Sequence, residues 1–350
     1  MRLIAGVTAL VGLVTAASVD LSRRETPLEV KLDHAGNSVI HASLTNNGDE
    51  ALKLFTTGTF LDDRAVEKVE VYSGNTKLPF DGLRLTVSTV NLPEDAFRVI
   101  NAGETIEVDF DAAELHDLSS GGDYGIQTKG AFSYAALNST EVVGVVPYSS
   151  NTLHSTIDGS HAASVHKEFQ AKAKRTIVQG DCQGYQRTAT ETAIRNCQPH
   201  AVRARWAAQN NPAKLQEYFK STSAHVKNTV TAVFDRVAYQ CGSTNSGDTR
   251  YYCSDVYRAC SGGAIAYALP SQNFIVNCPT FFTLPAYSYQ CHAQDQQSTV
   301  VHEMTHLYKV AATADYGCYG YNCVRALSAA QNLNHADTYS LFAQSLFAGC

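Results

Sequence analysis

The order of apolar and polar positions changes character halfway along the chain. Between residues 27 and 148, short runs alternate. Pro27-Leu28-Glu29-Val30-Lys31-Leu32, Ser38-Val39-Ile40-His41-Ala42-Ser43-Leu44 and Thr105-Ile106-Glu107-Val108-Asp109-Phe110 each place every second side chain on one apolar face. Turn clusters such as Asn46-Asn47-Gly48-Asp49 and Ser119-Ser120-Gly121-Gly122-Asp123 separate such runs, a spacing that predicts a sandwich-like β-rich unit. Residues 166–173 have helical propensity. Beyond Thr176 the apolar period lengthens to three and four: residues 188–209 (with Pro199 inside), 213–221 and 224–239 read as helices, and helices return at about 297–309 and 322–348. Residues 264–269 and 273–277, split by Pro270-Ser271-Gln272, read as a hairpin or two adjacent strands. The expected class is α+β, a mainly helical second half with a small sheet behind a β-rich first half.

Composition sharpens that division. The chain has 350 residues, 44% hydrophobic and 17% charged, enough to bury a core and too apolar for wholesale disorder. No run of 18 apolar residues occurs, so no membrane is expected, and a net charge of -6 argues against a nucleic-acid partner. All ten cysteines follow residue 181. Residues 1–175 carry 15 Lys+Arg against 23 Asp+Glu, a balance of -8; residues 176–350 carry 12 against 10, a balance of +2. The chain opens Met1-Arg2, continues through an apolar stretch at 3–14 and reaches Thr15-Ala16-Ala17, which reads as a secretory signal cut near Ala17. Secretion makes disulfides expected, and Asn138-Ser139-Thr140 becomes a glycosylation acceptor. The dibasic pair Lys174-Arg175 falls where both composition and charge change, and reads as a processing site; Arg23-Arg24 is a second, lesser pair.

The segment that carries chemistry is Ser298-Thr299-Val300-Val301-His302-Glu303-Met304-Thr305-His306. On a helix, His302 and His306 stand one above the other and can share one tetrahedral zinc. Glu303 lies about 100° round the axis, close enough to take a proton from water without binding the metal. A catalytic zinc needs a third protein ligand and an open position. No glutamate follows Glu303, and the position where a longer histidine motif would continue is Ala312, so the downstream candidates are Asp315, Asp337 and His335. Asp315 leads, in the glycine- and tyrosine-rich stretch 313–321. Asp337 serves instead, or supports a ligand from behind.

These residues resemble the deuterolysin, or aspzincin, metalloendopeptidases of fungi. The likeness rests on His302-Glu303-Met304-Thr305-His306, on the stretch from Thr313 to Gly320, and on Ala336-Asp337-Thr338-Tyr339. The layout of signal, cysteine-free leader, dibasic cut and compact domain extends it over essentially the whole chain. The resemblance implies a signal peptide at 1–17, a β-rich propeptide at 18–175 and a zincin-like catalytic domain at 176–350. It implies one Zn2+ held by His302, His306 and Asp315, with Glu303 as general base, Asp337 in or beside the site, and a loop tyrosine steadying the oxyanion. The family places that tyrosine three residues after the aspartate; here Cys318 occupies the position and Tyr319 follows, an apparent one-residue insertion that leaves Tyr316 and Tyr321 as competitors. Ser340 stands where lysine-selective relatives carry an acid, so a general endopeptidase favouring basic proteins is expected. Family spacing implies the pairs Cys182–Cys253, Cys260–Cys278 and Cys291–Cys350, leaving Cys197 with Cys241 and Cys318 with Cys323.

The expectation is therefore a secreted, extracellular, monomeric zinc endopeptidase made as a zymogen. Its partners are protein or peptide substrates and, before maturation, its own propeptide. In zincins an edge strand receives the extended substrate, and residues 264–277 are the candidates for it. The competing expectation is a secreted non-catalytic zincin-like binding protein with a β-sandwich module, against which the intact His-Glu-x-x-His stands.

Overall fold

The computed structural model describes residues 26–174, 180–242, 244 and 249–350. The expected signal segment, the Arg23-Arg24 pair and Arg175 lie outside the described residues; Lys174 is the last residue of a helix. Among the described residues no helix is long and apolar enough to cross a membrane.

The first half holds strands β1 (Leu28–His34), β2 (Val39–Asn46), β3 (Leu52–Phe55), β4 (Glu70–Ser73), β5 (Thr76–Lys77), β6 (Arg84–Val87), β7 (Phe97–Ile100), β8 (Thr105–Asp111), β9 (Gly122–Gln127), β10 (Lys129–Ala135), β11 (Val142–Ser149) and β12 (Leu153–Ile157). Helices α1 (Ala112–Leu115) and α2 (Gly159–Lys174) join them. Three antiparallel sheets run in the orders β1-β2-β8, β11-β10-β3-β7 and β12-β9-β4-β5. Alternation does what it predicts in β2, where Ile40, Ala42 and Leu44 are fully buried while His41 and Ser43 reach the surface. These residues share a core with Leu32, Leu54, Phe60, Ile126 and Phe132. Asn138 sits exposed in the turn between β10 and β11.

The second half is built on α3 (Gly184–Asn210), α4 (Pro212–Phe219), α5 (Ala224–Cys241), α6 (Gln296–His306), α7 (Gly320–Ala326), α8 (Ala329–Asn332) and α9 (Ala336–Ala348), with strands β13 (Arg250–Tyr252), β14 (Ala264–Leu269) and β15 (Phe274–Asn277). Phe219, Phe234, Phe281, Tyr339 and Phe342 fill its core, each worth about 2–3 kcal/mol on burial. Five disulfides staple it: Cys182–Cys253, Cys197–Cys241, Cys260–Cys278, Cys291–Cys350 and Cys318–Cys323.

Two helices differ from the sequence expectation. The helix expected over 297–309 stops at His306, because Leu307 turns to an extended conformation. The run 322–348 is three helices, not one. Ser328 opens α8 with a capping box to Gln331, and α9 starts only after His335, so an apolar period that continues across Leu327 and Leu333 conceals two breaks.

The halves meet in a fourth sheet of order β13-β15-β14-β6, in which β6 of the first half pairs antiparallel with β14 of the second. Leu83, Leu85, Val87 and Leu92 share a core there with Tyr252, Ala264, Tyr267 and Phe274. The two halves thus share a strand ladder and a patch of core beside α6, and a second patch joins Ala131 to Cys318, Cys323 and Leu327.

Candidate metal centre

Helix α6 is buried on every side, and a helix with no exposed face has its ends fixed by partners within the protein. Asp295 caps it: its Oδ1 accepts the Ser298 N–H at 2.7 Å, and Ser298 Oγ accepts the Asp295 N–H at 3.2 Å. After Leu307 the chain turns back under the helix. Thr313 N–H donates to Thr305 O at 3.2 Å, and the Thr305 and Thr313 hydroxyls bond at 2.8 Å. Ala314 N–H then donates to Asn334 O at 2.9 Å, and Ala336 N–H to Ala314 O at 3.1 Å. The loop before α9 therefore sets where Asp315 points.

The result brings His302, His306 and Asp315 together, with one ligand atom from each inside a 4.8 Å circle. His302 Nε2 and His306 Nε2 are 3.0 Å apart, and each is 3.3 Å from Asp315 Oδ1. Behind them, His302 Nδ1 lies 2.7 Å from Asp337 Oδ1, and His306 Nδ1 lies 2.9 Å from the Thr313 carbonyl. A carbonyl only accepts, so the His306 proton is on Nδ1; the Asp337 carboxylate likewise takes the His302 Nδ1 proton. Both Nε2 lone pairs then converge with a carboxylate oxygen. Three acceptors facing one another ask for a cation, and ligands at about 2.0–2.1 Å in a tetrahedron stand about 3.4 Å apart, so the set fits zinc.

Without a metal the cluster's charges favour an ionised Asp315. Burial opposes ionisation of Asp315, but His306 and His302 hold its pKa well below the usual carboxylate range. Burial lowers His302 too, and hydrogen bonds with Asp315 and Asp337 more than reverse that, whereas burial prevails at His306 and its pKa is lowered. Asp337 is steadied on its other oxygen by the Gly320 N–H at 2.6 Å, which lowers its pKa together with His302 despite burial.

Glu303 faces the same space from α6. Burial pushes its pKa up to about 8, against the pull of His302 and Thr86. Its Oε1 accepts the Thr86 N–H at 3.1 Å and the Thr86 hydroxyl at 2.6 Å, and its buried Oε2 has no partner. Leu85 N–H donates to Asp315 Oδ2 at 3.3 Å. Of the loop tyrosines, Tyr316 accepts Asn334 Nδ2 at 3.1 Å and Tyr321 donates to Glu217 at 2.8 Å, while the buried Tyr319 hydroxyl has no hydrogen-bond partner. It is tucked against Gly58, whose φ of +76° and missing Cβ both matter, since a Cβ there would lie 2.2 Å from the hydroxyl oxygen. His335 is bound elsewhere, to Thr338 at 3.0 Å and to the Cys318 carbonyl at 3.3 Å.

Sequence reasoning missed Thr86, Leu85, Gly58 and Thr313. Thr313 acts on His306 through its carbonyl, which any residue could supply, and on Thr305 through its hydroxyl. Thr86 and Leu85 lie in an alternating run, Leu83-Arg84-Leu85-Thr86-Val87, that signals a strand but not its partner.

The model of the deuterolysin metalloprotease (M35) family matches residues 1–350. A neutral protease 2 homolog of Colletotrichum graminicola is 56% identical over 353 residues, covering 100% of both chains. Another from Phaeosphaeria nodorum is 54% identical over 99% of each, and one from Pyricularia oryzae 47% identical over 100% of each. Among solved structures, a zinc peptidase from Grifola frondosa aligns with a TM-score of 0.40 and 19% identity, over 47% of this chain and 97% of that one. The chain belongs to the deuterolysin metalloprotease (M35) family and is a metalloendopeptidase.

Proposed function

We propose that the protein is a secreted zinc endopeptidase, made as a zymogen whose signal (1–17) and propeptide (18–175) precede a zincin-like catalytic domain (176–350). The observation that carries the reading is the convergence of His302 Nε2, His306 Nε2 and Asp315 Oδ1 beside a carboxylate, Glu303, that is not part of the cluster. His302, His306 and Asp315 would hold zinc, which would serve as a Lewis acid, acidifying water and polarising the substrate carbonyl. Glu303 accepts the proton of the attacking water and returns it to the departing amine nitrogen. Asp337 keeps the His302 ring oriented. Tyr319, the loop tyrosine with an uncommitted hydroxyl, donates to the carbonyl oxygen as negative charge develops there. Five disulfides and the leader-like start fit an extracellular site of action; a preference for basic proteins rests on the family likeness alone.

The test is casein hydrolysis and zinc content of the chain processed after Arg175. Asp315→Asn should lose stoichiometric zinc and about a thousandfold or more of activity, and Glu303→Gln should keep zinc while losing activity by a similar factor. Full zinc in Asp315→Asn, or retained hydrolysis by Glu303→Gln, would reject the assignment.

A further inference from the structure

β14 is the strand next to the catalytic centre, and its outer edge is not free. β6 occupies it, with Val87 opposite Ala264, Thr86 opposite Ala266, Leu85 opposite Tyr267 and Arg84 opposite Ala268. Beyond β6 the chain stays in contact with the second half: the Ser88 N–H donates to the Gly263 carbonyl at 2.8 Å, Leu92 packs in the shared core, and one side chain holds the main chain. Gln294 Nε2 donates to the Val87 carbonyl at 2.8 Å, and Gln294 Oε1 accepts the Thr89 N–H at 2.9 Å and its hydroxyl at 3.2 Å. An amide that reads the C=O of one residue and the N–H of the residue two further on recognises an extended main chain whatever its side chains. We propose that residues 84–89 fill the groove that takes substrate in the active enzyme, gripped by Gln294 as a substrate is gripped, with Thr86 taking Glu303 out of service. This inference rests on the zinc-endopeptidase reading.

The register supports it. The nitrogen of the Leu85–Thr86 peptide bond is 3.1 Å from Glu303 Oε1, where a carboxylate that must protonate a leaving amine would find one. The strand is nevertheless spared, because the Thr86 N–H and hydroxyl both donate to Oε1 and make it a poor acceptor for a water proton, leaving only the buried Oε2. Arg84 is neutralised from within the first half, by Glu67 at 2.5 Å and the Phe80 ring at 4.4 Å. Although Arg84 also feels the Asp315 charge, its direct partners lie in the first half, and what the groove supplies is mainly main-chain recognition. Gly58 covers the Tyr319 hydroxyl, and Thr57 donates to the Gly262 carbonyl at 3.0 Å, so a second loop of the first half closes the site from the other side.

Two forms of the full chain test this: one locked by Lys174→Ala/Arg175→Ala, and one cut after Arg175 by a dibasic-specific protease with both pieces retained. In the cut form Gln294→Ala should raise KM for an extended peptide about tenfold with kcat within about twofold, the loss of roughly one hydrogen bond. It should weaken inhibition by the released first half, read from activity against dilution, by a similar factor. In the locked form Thr86→Val should raise residual activity at least about tenfold, and the β14 amides that bond β6 should exchange slowly until the cut form is diluted. A Gln294→Ala enzyme with unchanged KM but a looser first half would overturn the proposal, as would a Thr86→Val chain no more active than its parent. Cut wild-type protein without chelator-sensitive hydrolysis would strike the zinc-endopeptidase reading instead. Exchange at the β14 amides that bond β6, as opposed to those that bond β15, still decides the strand's part in that event, since protection of the former that survives release of the first half rejects it.

Discussion

The two halves of this chain are held together by different physics. Residues 26–174 contain no cysteine and instead bury charge: Glu67 pairs with Arg84 and Lys77, Glu70 with Lys77 and Lys129, and Asp62 with Arg64. Residues 180–350 bury few ion pairs away from the metal centre and carry all five disulfides. A disulfide survives dilution, proteolysis of its neighbours and changes of pH, whereas a buried ion pair holds only while both partners stay charged and in register. The half that carries the chemistry is built to persist. The half that covers it is built from interactions that can be lost.

The largest break in that comparison comes from the staples. Loop-closure entropy makes Cys182–Cys253, separated by 71 residues, worth about 4 kcal/mol, and Cys318–Cys323, separated by 5, worth about 2 kcal/mol. Replacing each pair by alanines should lower denaturant stability of the processed protein in that order. The short loop should cost more activity than stability, because it carries Tyr319 and follows Asp315. Equal stability losses from the two pairs would show that something other than chain entropy holds the second half.

What the sequence made legible follows the same line. His302, Glu303 and His306 share one helix, so spacing alone places them, and the shortage of downstream acids narrows the third ligand to Asp315, Asp337 or His335 without choosing among them. The strands of the first half and the paired segments 264–269 and 274–277 are local patterns too. The rest depends on partners far apart in the chain. Nothing local in Leu83-Arg84-Leu85-Thr86-Val87 reveals that it lies against a strand some 180 residues later. Gln294 is one polar residue in a polar loop until its contacts with Val87 and Thr89 are known. The breaks after α7 and α8 were hidden because capping by Ser328 is decided by one hydroxyl, while the apolar period runs on through it.

The two halves should also respond to acid in different windows. His200 in α3 is buried beside Phe347, and burial, helped by Arg203, lowers its pKa to about 4. The unfolded chain binds the proton first, so stability is full above about 6.5 and drains away as pH falls towards 4. Glu67 behaves alike at lower pH. Burial opposes its charge, but Arg84 and Lys77 outweigh burial and lower its pKa to about 2, so its contribution is full above about 4.5 and lost as pH falls towards 2. Each contributes about 3 kcal/mol. Calorimetry against pH should show the second half weakening first, with His200→Phe flattening only the upper window and Glu67→Gln only the lower. One shared window for both variants would mean that the halves unfold as a single unit.

The smallest effect makes the finest distinction, because the same device occurs in both halves. Asp111 caps α1, accepting the Ala113 N–H at 2.9 Å, and Ser328 caps α8, accepting the Gln331 N–H at 3.3 Å while Gln331 Oε1 accepts the Ser328 N–H at 3.0 Å. Replacing either by alanine should cost about 1 kcal/mol of stability. The functional consequences should differ. α8 leads into Asn334, whose carbonyl fixes Ala314 and so the direction of Asp315. α1 touches nothing in the metal centre. In the uncut full-length chain Ser328→Ala should therefore loosen zinc, read as a higher free-zinc concentration at half-occupancy, whereas Asp111→Ala should leave that midpoint where it was. Matching midpoints would separate the loop before α9 from the placement of Asp315, leaving the metal geometry to α6 and the Thr305–Thr313 hydroxyl pair.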